Sequence, residues 1–112
     1  MTELALWSYV DERGRVPFEA WILDLDPQAQ AKVTIALSRL QRGNLSNVKG
    51  VGEGVSELKL DWGPGYRVYF GQDGKTIVVL LCGGTKKRQD RDIADAKVRW
   101  ADYKVRKRAR PR

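Results

Sequence analysis

A chain of 112 residues has room for one domain, and a chain of that size buries about two-thirds of its unfolded surface, enough for a modest core without a metal or disulfide staple. One cysteine excludes an internal disulfide, and the lack of any histidine removes the usual zinc ligand sets and the commonest general acid and base, so neither metal nor cofactor is expected. The net charge of +7 is gathered at the end, where Lys104 to Arg112 holds six Lys or Arg and no acid, leaving +1 elsewhere; such a tail points to nucleic acid or an acidic partner, the plainer alternative being a solvated end.

The apolar, aromatic run Leu4 to Tyr9, followed by turn residues Asp11 to Gly14, predicts a first strand. Phe18, Trp21, Ile22 and Leu25 fall at i, i+3, i+4 and i+7 behind Pro17, giving a short amphipathic helix. Asp26 and Pro27 form an N-cap and first-turn proline for a second helix, whose stripe is Ala29, Val33, Ala36, Leu37 and Leu40 and which ends at Gly43 and Asn44. Three glycines between Gly50 and Gly54 predict a loop. Leu58, Leu60 and Trp62 then alternate with Glu57, Lys59 and Asp61 as a half-buried strand, and Tyr66 to Phe70 alternates again. Asp73 and Gly74 read as a two-residue turn into the apolar strand Thr76 to Cys82. That continuous run predicts a central strand covered on both faces, broken by Gly83 and Gly84. A final helix starts near Gln89 or Asp90, with Ile93, Ala96, Trp100 and Tyr103 on one side, acids at its start and cations near its end.

The order β-α-α-β-β-β-α predicts a single α+β domain over residues 1–112. Its helices pack on a small, mainly antiparallel sheet, and a basic tail runs from about residue 104 to 112. The longest apolar run is far short of the ~20 residues of a membrane helix and no basic-then-apolar leader opens the chain, so a soluble, cytoplasmic protein with no membrane partner is expected. A three-residue loop, Gly63 to Gly65, would set Leu60 against Val68 and Leu58 against Phe70, with Asp61 facing Arg67 and Lys59 facing Tyr69. Lys59 would then lie diagonal to Arg67, close enough for two cations to meet on one phosphate.

The stretch Leu58-Lys59-Leu60-Asp61-Trp62-Gly63-Pro64-Gly65-Tyr66-Arg67-Val68-Tyr69-Phe70 carries a resemblance. With Leu80-Leu81-Cys82-Gly83-Gly84-Thr85-Lys86-Lys87-Arg88-Gln89, Asp92-Ile93-Ala94 and the early Phe18, Glu19 and Trp21, it resembles the HigB-like, phage-related addiction module killer branch of the RelE/ParE toxin superfamily. The resemblance implies a RelE-like fold and a type II toxin held inactive by a helix-turn-helix antitoxin, in a toxin–antitoxin hetero-oligomer. It also implies metal-independent cleavage of messenger RNA on the ribosome, in which the ribose 2′-hydroxyl attacks the adjacent phosphorus.

Such attack needs proton removal, stabilisation of a charged phosphorane and protonation of the leaving 5′-oxygen. Fixed cations suit the middle task. Arg67, which can grip two phosphate oxygens and matches the family's phosphate-contacting arginine, is the first candidate, against a structural ion pair with Asp61. Lys59 and Lys87 are candidates for proton transfer or further phosphate binding, against ordinary solvated lysines. Lys86 and Arg88, beside Lys87 after the glycine pair, are expected to bind RNA. Tyr69 is a candidate to stack on a base, against simple packing, and the tail cations Lys104, Arg106, Lys107 and Arg108 are candidates for RNA or antitoxin contact. Gln89 and Asp90 can orient reacting groups, though capping explains Asp90 more simply. Tyr103, Trp21 and Trp100 read as core, and Cys82 as a small buried apolar residue with no histidine to activate it. The alternatives are a ParE-like inhibitor of gyrase, a non-catalytic nucleic-acid-binding protein, and a degenerate relative that keeps only the antitoxin interface.

Overall fold

A computed structural model describes residues 3–109; residues 110–112 of the basic tail lie outside the described residues. The elements are β1 (Ala5–Ser8), α1 (Pro17–Leu23), α2 (Pro27–Gln41), β2 (Val48–Gly52), β3 (Val55–Lys59), β4 (Tyr66–Asp73), β5 (Ile77–Thr85), a 3-10 turn (Lys86–Arg88) and α3 (Gln89–Ala109). The described strands form one sheet in the order β1-β5-β4-β3-β2. Only the β1–β5 pair is parallel, the others being antiparallel. The α+β architecture is the one the sequence predicts.

The sheet is covered on both faces. Against one face pack α1 and α2, where Phe18, Val33, Leu37 and Leu40 meet Leu58, Val68, Phe70, Val78 and Leu80. Against the other packs α3, where Ala96 and Trp100 meet Tyr69, Val79, Leu81 and Cys82. A strand buried on both faces has no polar side to alternate with, which is why β5 reads as an uninterrupted apolar run. At the start of α2 Asp26 accepts from the Ala29 N–H at 2.8 Å as its cap. Leu40, fully buried in the first cluster, gives a direct check on that packing. Leu40→Ala should cost about 2–5 kcal/mol, seen as a lower urea midpoint with an unchanged slope.

Four expectations need correction. The glycine-rich segment is a hairpin and not a loop: β2 pairs with β3 across Glu53 and Gly54, both at positive φ (54° and 82°), the backbone of a type I′ turn. The glycines hid an edge strand because its turn needs them. The β3–β4 register is shifted by two residues from the expected one. Lys59 lies directly opposite Arg67 and Leu58 opposite Val68, and the Leu60 N–H donates to the Tyr66 carbonyl at 2.9 Å, so the loop runs from Asp61 to Gly65. A shift of two keeps every side chain on its expected face, so the apolar pattern could not detect it. Finally, β4 and β5 join through Gly74 to Thr76, Asp73 being paired with Ile77, and β5 continues through Gly83 and Gly84 instead of breaking there.

Candidate functional site

The functional candidates meet where β3 ends, β4 begins and β5 runs into the 3-10 turn. The hub is the Gly65 carbonyl, which accepts from Arg67 Nη1 at 2.8 Å and from the Lys86 N–H at 3.0 Å. Gly65 sits at φ 76°, and a Cβ there would come within 3.2 Å of Arg67 Nη1 and 3.3 Å of the Lys86 Cβ. A side chain at this position would both strain the turn and crowd the guanidinium. Around the hub opens a cleft of about 460 Å³ lined by Lys59, Asp61, Trp62, Gly65, Arg67 and Lys86.

Arg67 and Lys59, which the sequence brackets as one pair, do come together, and Lys86 joins them. Lys87 and Arg88 follow on the exposed 3-10 turn and do not line the cleft. Lys59 is paired with Asp61 at 3.3 Å, so Asp61 neutralises Lys59 and not Arg67. The partner of Arg67 is Glu57: Nε lies 3.5 Å from Oε1, both side chains being almost fully buried. In the sequence Glu57 is only a polar member of an alternating strand. Its role follows from β2 and α3 closing over it, and neither closure is visible in local pattern.

Glu57 anchors a polar cluster beneath the first turns of α3. Gln89 Nε2 donates to Glu57 Oε2 at 2.8 Å, and Lys49 Nζ stands 3.9 Å from Oε1. Tyr69 is 0% exposed, so the expectation that it stacks on a base is corrected: it is walled in by the sheet and α3. Burial, with the Glu57 and Asp92 carboxylates nearby, pushes its hydroxyl well above the usual phenol range. Asp92, in the first turn of α3, presses its carboxylate onto Gly84, where a Cβ would overlap Oδ2. The Tyr69 hydroxyl, Glu57 Oε1, Arg67 Nε and Asp92 Oδ2 are buried and make no hydrogen bond among the described residues. Arg67 Nε and Glu57 Oε1 are each other's ion-pair partners at 3.5 Å, so the cluster is held by charge where strict hydrogen-bond geometry is not met.

Burial raises the Asp92 carboxyl against the opposing pull of Arg88. A carboxyl raised in the folded state favours folding when protonated, and that advantage is lost as pH climbs through its folded value. Asp92→Asn should therefore be relatively more stabilising at pH 7 than at about pH 4, measured as the difference in urea midpoint from wild type at each pH.

The tail cations occupy a different place. At 1.5 Å per residue, Lys104 lies about 22 Å along the axis of α3 from Gln89. Lys107 pairs with Asp73 at 2.5 Å, Arg106 with Asp102 at 2.9 Å, and Lys104 stands 5.8 Å over the Trp100 ring. The described part of the tail is helical through Ala109 and contributes no residue to the lining of the cleft. Tyr103 stacks on Trp100 at 5.2 Å and donates to Asp73 at 2.7 Å. Lys107 and Tyr103 together hold the Asp73 carboxyl below its ordinary value. Cys82 is buried with its thiol pushed up to about 11, consistent with a packing residue. Among the described residues no three metal-ligating side chains gather, and no helix is long and apolar enough to cross a membrane.

Residues 20–104 match the family described as Phage derived protein Gp49-like. That span holds the whole of the cleft and the polar cluster, and it covers well over half of the chain. The chain belongs to the Gp49-like family. A Haemophilus influenzae relative is 44% identical to this Gp49-like chain over 82 residues, 72% of this chain and 83% of the relative, and carries the name "Uncharacterized protein".

Proposed function

We propose that this Gp49-like chain is the toxin of a type II toxin–antitoxin system, in the HigB-like branch of the RelE/ParE superfamily, and that it is a metal-independent endoribonuclease acting on messenger RNA at the ribosome in the cytoplasm. Its partner is a cognate helix-turn-helix antitoxin. The observation that carries this reading is the cleft in which Lys59, Arg67 and Lys86 converge at one end of the sheet.

In the proposed step the ribose 2′-oxygen forms a bond to the adjacent phosphorus and the bond from phosphorus to the 5′-oxygen breaks, leaving a 2′,3′-cyclic phosphate. Arg67 meets the charge on the phosphorane. Its planar fork, fixed by the Gly65 carbonyl, spends no reorganisation when charge develops. Lys59 and Lys86 neutralise neighbouring phosphates, and in this reading Lys87, which follows Lys86 on the exposed turn outside the cleft, protonates the leaving 5′-oxygen of RNA that runs over that turn. The 2′-hydroxyl proton passes to water, because the chain holds no histidine and Glu57, the carboxylate nearest the guanidinium, is buried with it and is not among the residues lining the cleft. Lys104 and Arg108, remote from the cleft, serve contact with ribosomal RNA.

The test follows the fate of messages and of DNA supercoiling after expression without the antitoxin. The reading expects broken messages with gyrase activity intact, and Lys87→Ala should slow cutting by about 10²-fold as loss of a proton donor. Intact messages beside blocked supercoiling would instead favour the gyrase-inhibitor alternative, and harmless expression the degenerate one.

A further inference from the structure

The wall formed by Lys59, Asp61 and Trp62 has a second side. There, between α2 and the segment Leu58 to Trp62, lies another groove of about 390 Å³, meeting the Arg67 cleft along those same three residues. Its lining mixes polar and apolar groups, the apolar part being the half-exposed Ile35 with the nearly buried Leu58 and Leu60. Its rim carries Lys32 and Arg39 from the outer turns of α2. Lys32 Nζ stands 5.6 Å over the Trp62 ring, and Trp62 is held in place by stacking on Tyr66 at 6.0 Å and 25°. Asn44, Ser46 and Asn47 close the far end with amide and hydroxyl groups.

We propose that this groove is a binding subsite for the nucleotides flanking the cleaved bond, in which Lys32 yields its place over the Trp62 ring to a stacking, unpaired RNA base and, with Arg39, holds the phosphates. The proposal rests on the RNA-cleaving reading of the Arg67 cleft. A fixed aromatic face beside cations along a continuous path is the pattern that holds single strands, because every base has a face to stack and every linkage a charge to neutralise. The apolar part alone would suit a protein helix equally well. A tryptophan ring set between cations favours RNA over an acidic peptide, as does continuity with a cleft that already gathers three cations. Asp61, the carboxylate on the shared wall, is masked by Lys59.

The experiment measures binding of a single-stranded oligonucleotide with 2′-O-methyl riboses, which cannot be cut. Four variants are compared with wild type: Trp62→Ala, Trp62→Phe, Lys32→Ala with Arg39→Ala, and a charge-matched control, Arg13→Ala with Lys75→Ala. The expected result is a loss of about tenfold in Trp62→Ala, the scale of one base stacked on an aromatic ring, with Trp62→Phe close to wild type. The Lys32 and Arg39 variant should lose a similar factor, and its slope of log affinity against log salt should fall by about 1.4, at roughly 0.7 per phosphate contact on a single strand. Because Lys32 and Arg39 are exposed, their replacement leaves the core intact even if Trp62→Ala unfolds. Wild-type affinity in Trp62→Ala overturns the subsite. So does a Lys32 and Arg39 variant no weaker than the control, including the case where only antitoxin binding drops. If the protein cuts RNA and only these groove variants fail to respond, the subsite falls and the cleavage reading stands. If wild type neither binds nor cuts RNA, both fall.

Discussion

Arg67→Lys is expected to slow RNA cleavage by about 10²–10³-fold, the usual loss when one charge-stabilising donor is removed from a preorganised site, while the protein stays folded and keeps its antitoxin. Lysine retains the positive charge next to Glu57 but not the planar fork that bonds the Gly65 carbonyl and that, in the proposed step, would grip a phosphate as well. Lysine is the informative substitution because Arg67→Ala confounds two losses. Removing the guanidinium outright also strands the Glu57 carboxylate in the interior. Single-turnover cleavage rates, with near-ultraviolet circular dichroism to confirm packing, separate the chemical loss from the structural one. A lysine variant that cuts as fast as wild type would remove Arg67 from the reaction and leave it as a structural ion-pair partner.

Glu57→Ala should be among the most destabilising single changes in the chain, by about 3–5 kcal/mol. Its side chain is 1% exposed and its partner Arg67 5% exposed, so truncating the carboxylate leaves a guanidinium buried without a counter-charge. The lost Gln89 bond also loosens the start of α3 from the sheet. Replacing both partners together, Glu57→Leu with Arg67→Met, should recover most of that stability, since a buried ion pair often breaks even against apolar residues of similar size. Activity should stay absent in the double variant. Urea unfolding of the two single variants and the double variant completes the cycle. If Glu57→Ala unfolds at the wild-type midpoint, the pair is more hydrated than its burial indicates.

How much of this could be read from the sequence differs between fold and site for a physical reason. The helices and the central strand declare themselves through local period: Phe18, Trp21, Ile22 and Leu25 along α1, and the unbroken apolar run of β5. The face on which Arg67 and Lys59 lie was also legible, because alternation fixes it. Their register was not, since a slip of two residues preserves every face and only the hydrogen bond from Leu60 to Tyr66 decides it. β2 escaped because Gly50, Gly52 and Gly54 carry no side-chain pattern and resemble a loop. With β2 hidden, the closure over Glu57 was hidden too. Tyr69 was read as a candidate base platform because alternation shows which face a residue takes, not whether a helix later covers that face. The cleft itself depends on one backbone carbonyl, Gly65, that no side-chain pattern encodes.

The most direct test of the central claim is the chemistry of the cut ends. Purified chain, stripped of metal beforehand, is added to translating ribosomes and a defined message in buffer whose sole divalent cation is the magnesium that the ribosomes need, and the fragment termini are read by mass spectrometry. Discrete cuts are expected whose upstream fragments end in a 2′,3′-cyclic phosphate or 3′-phosphate, with no cut at any site whose ribose is replaced by 2′-deoxyribose. Cleavage that persists at a 2′-deoxy site, or a message that survives intact, would contradict the claim.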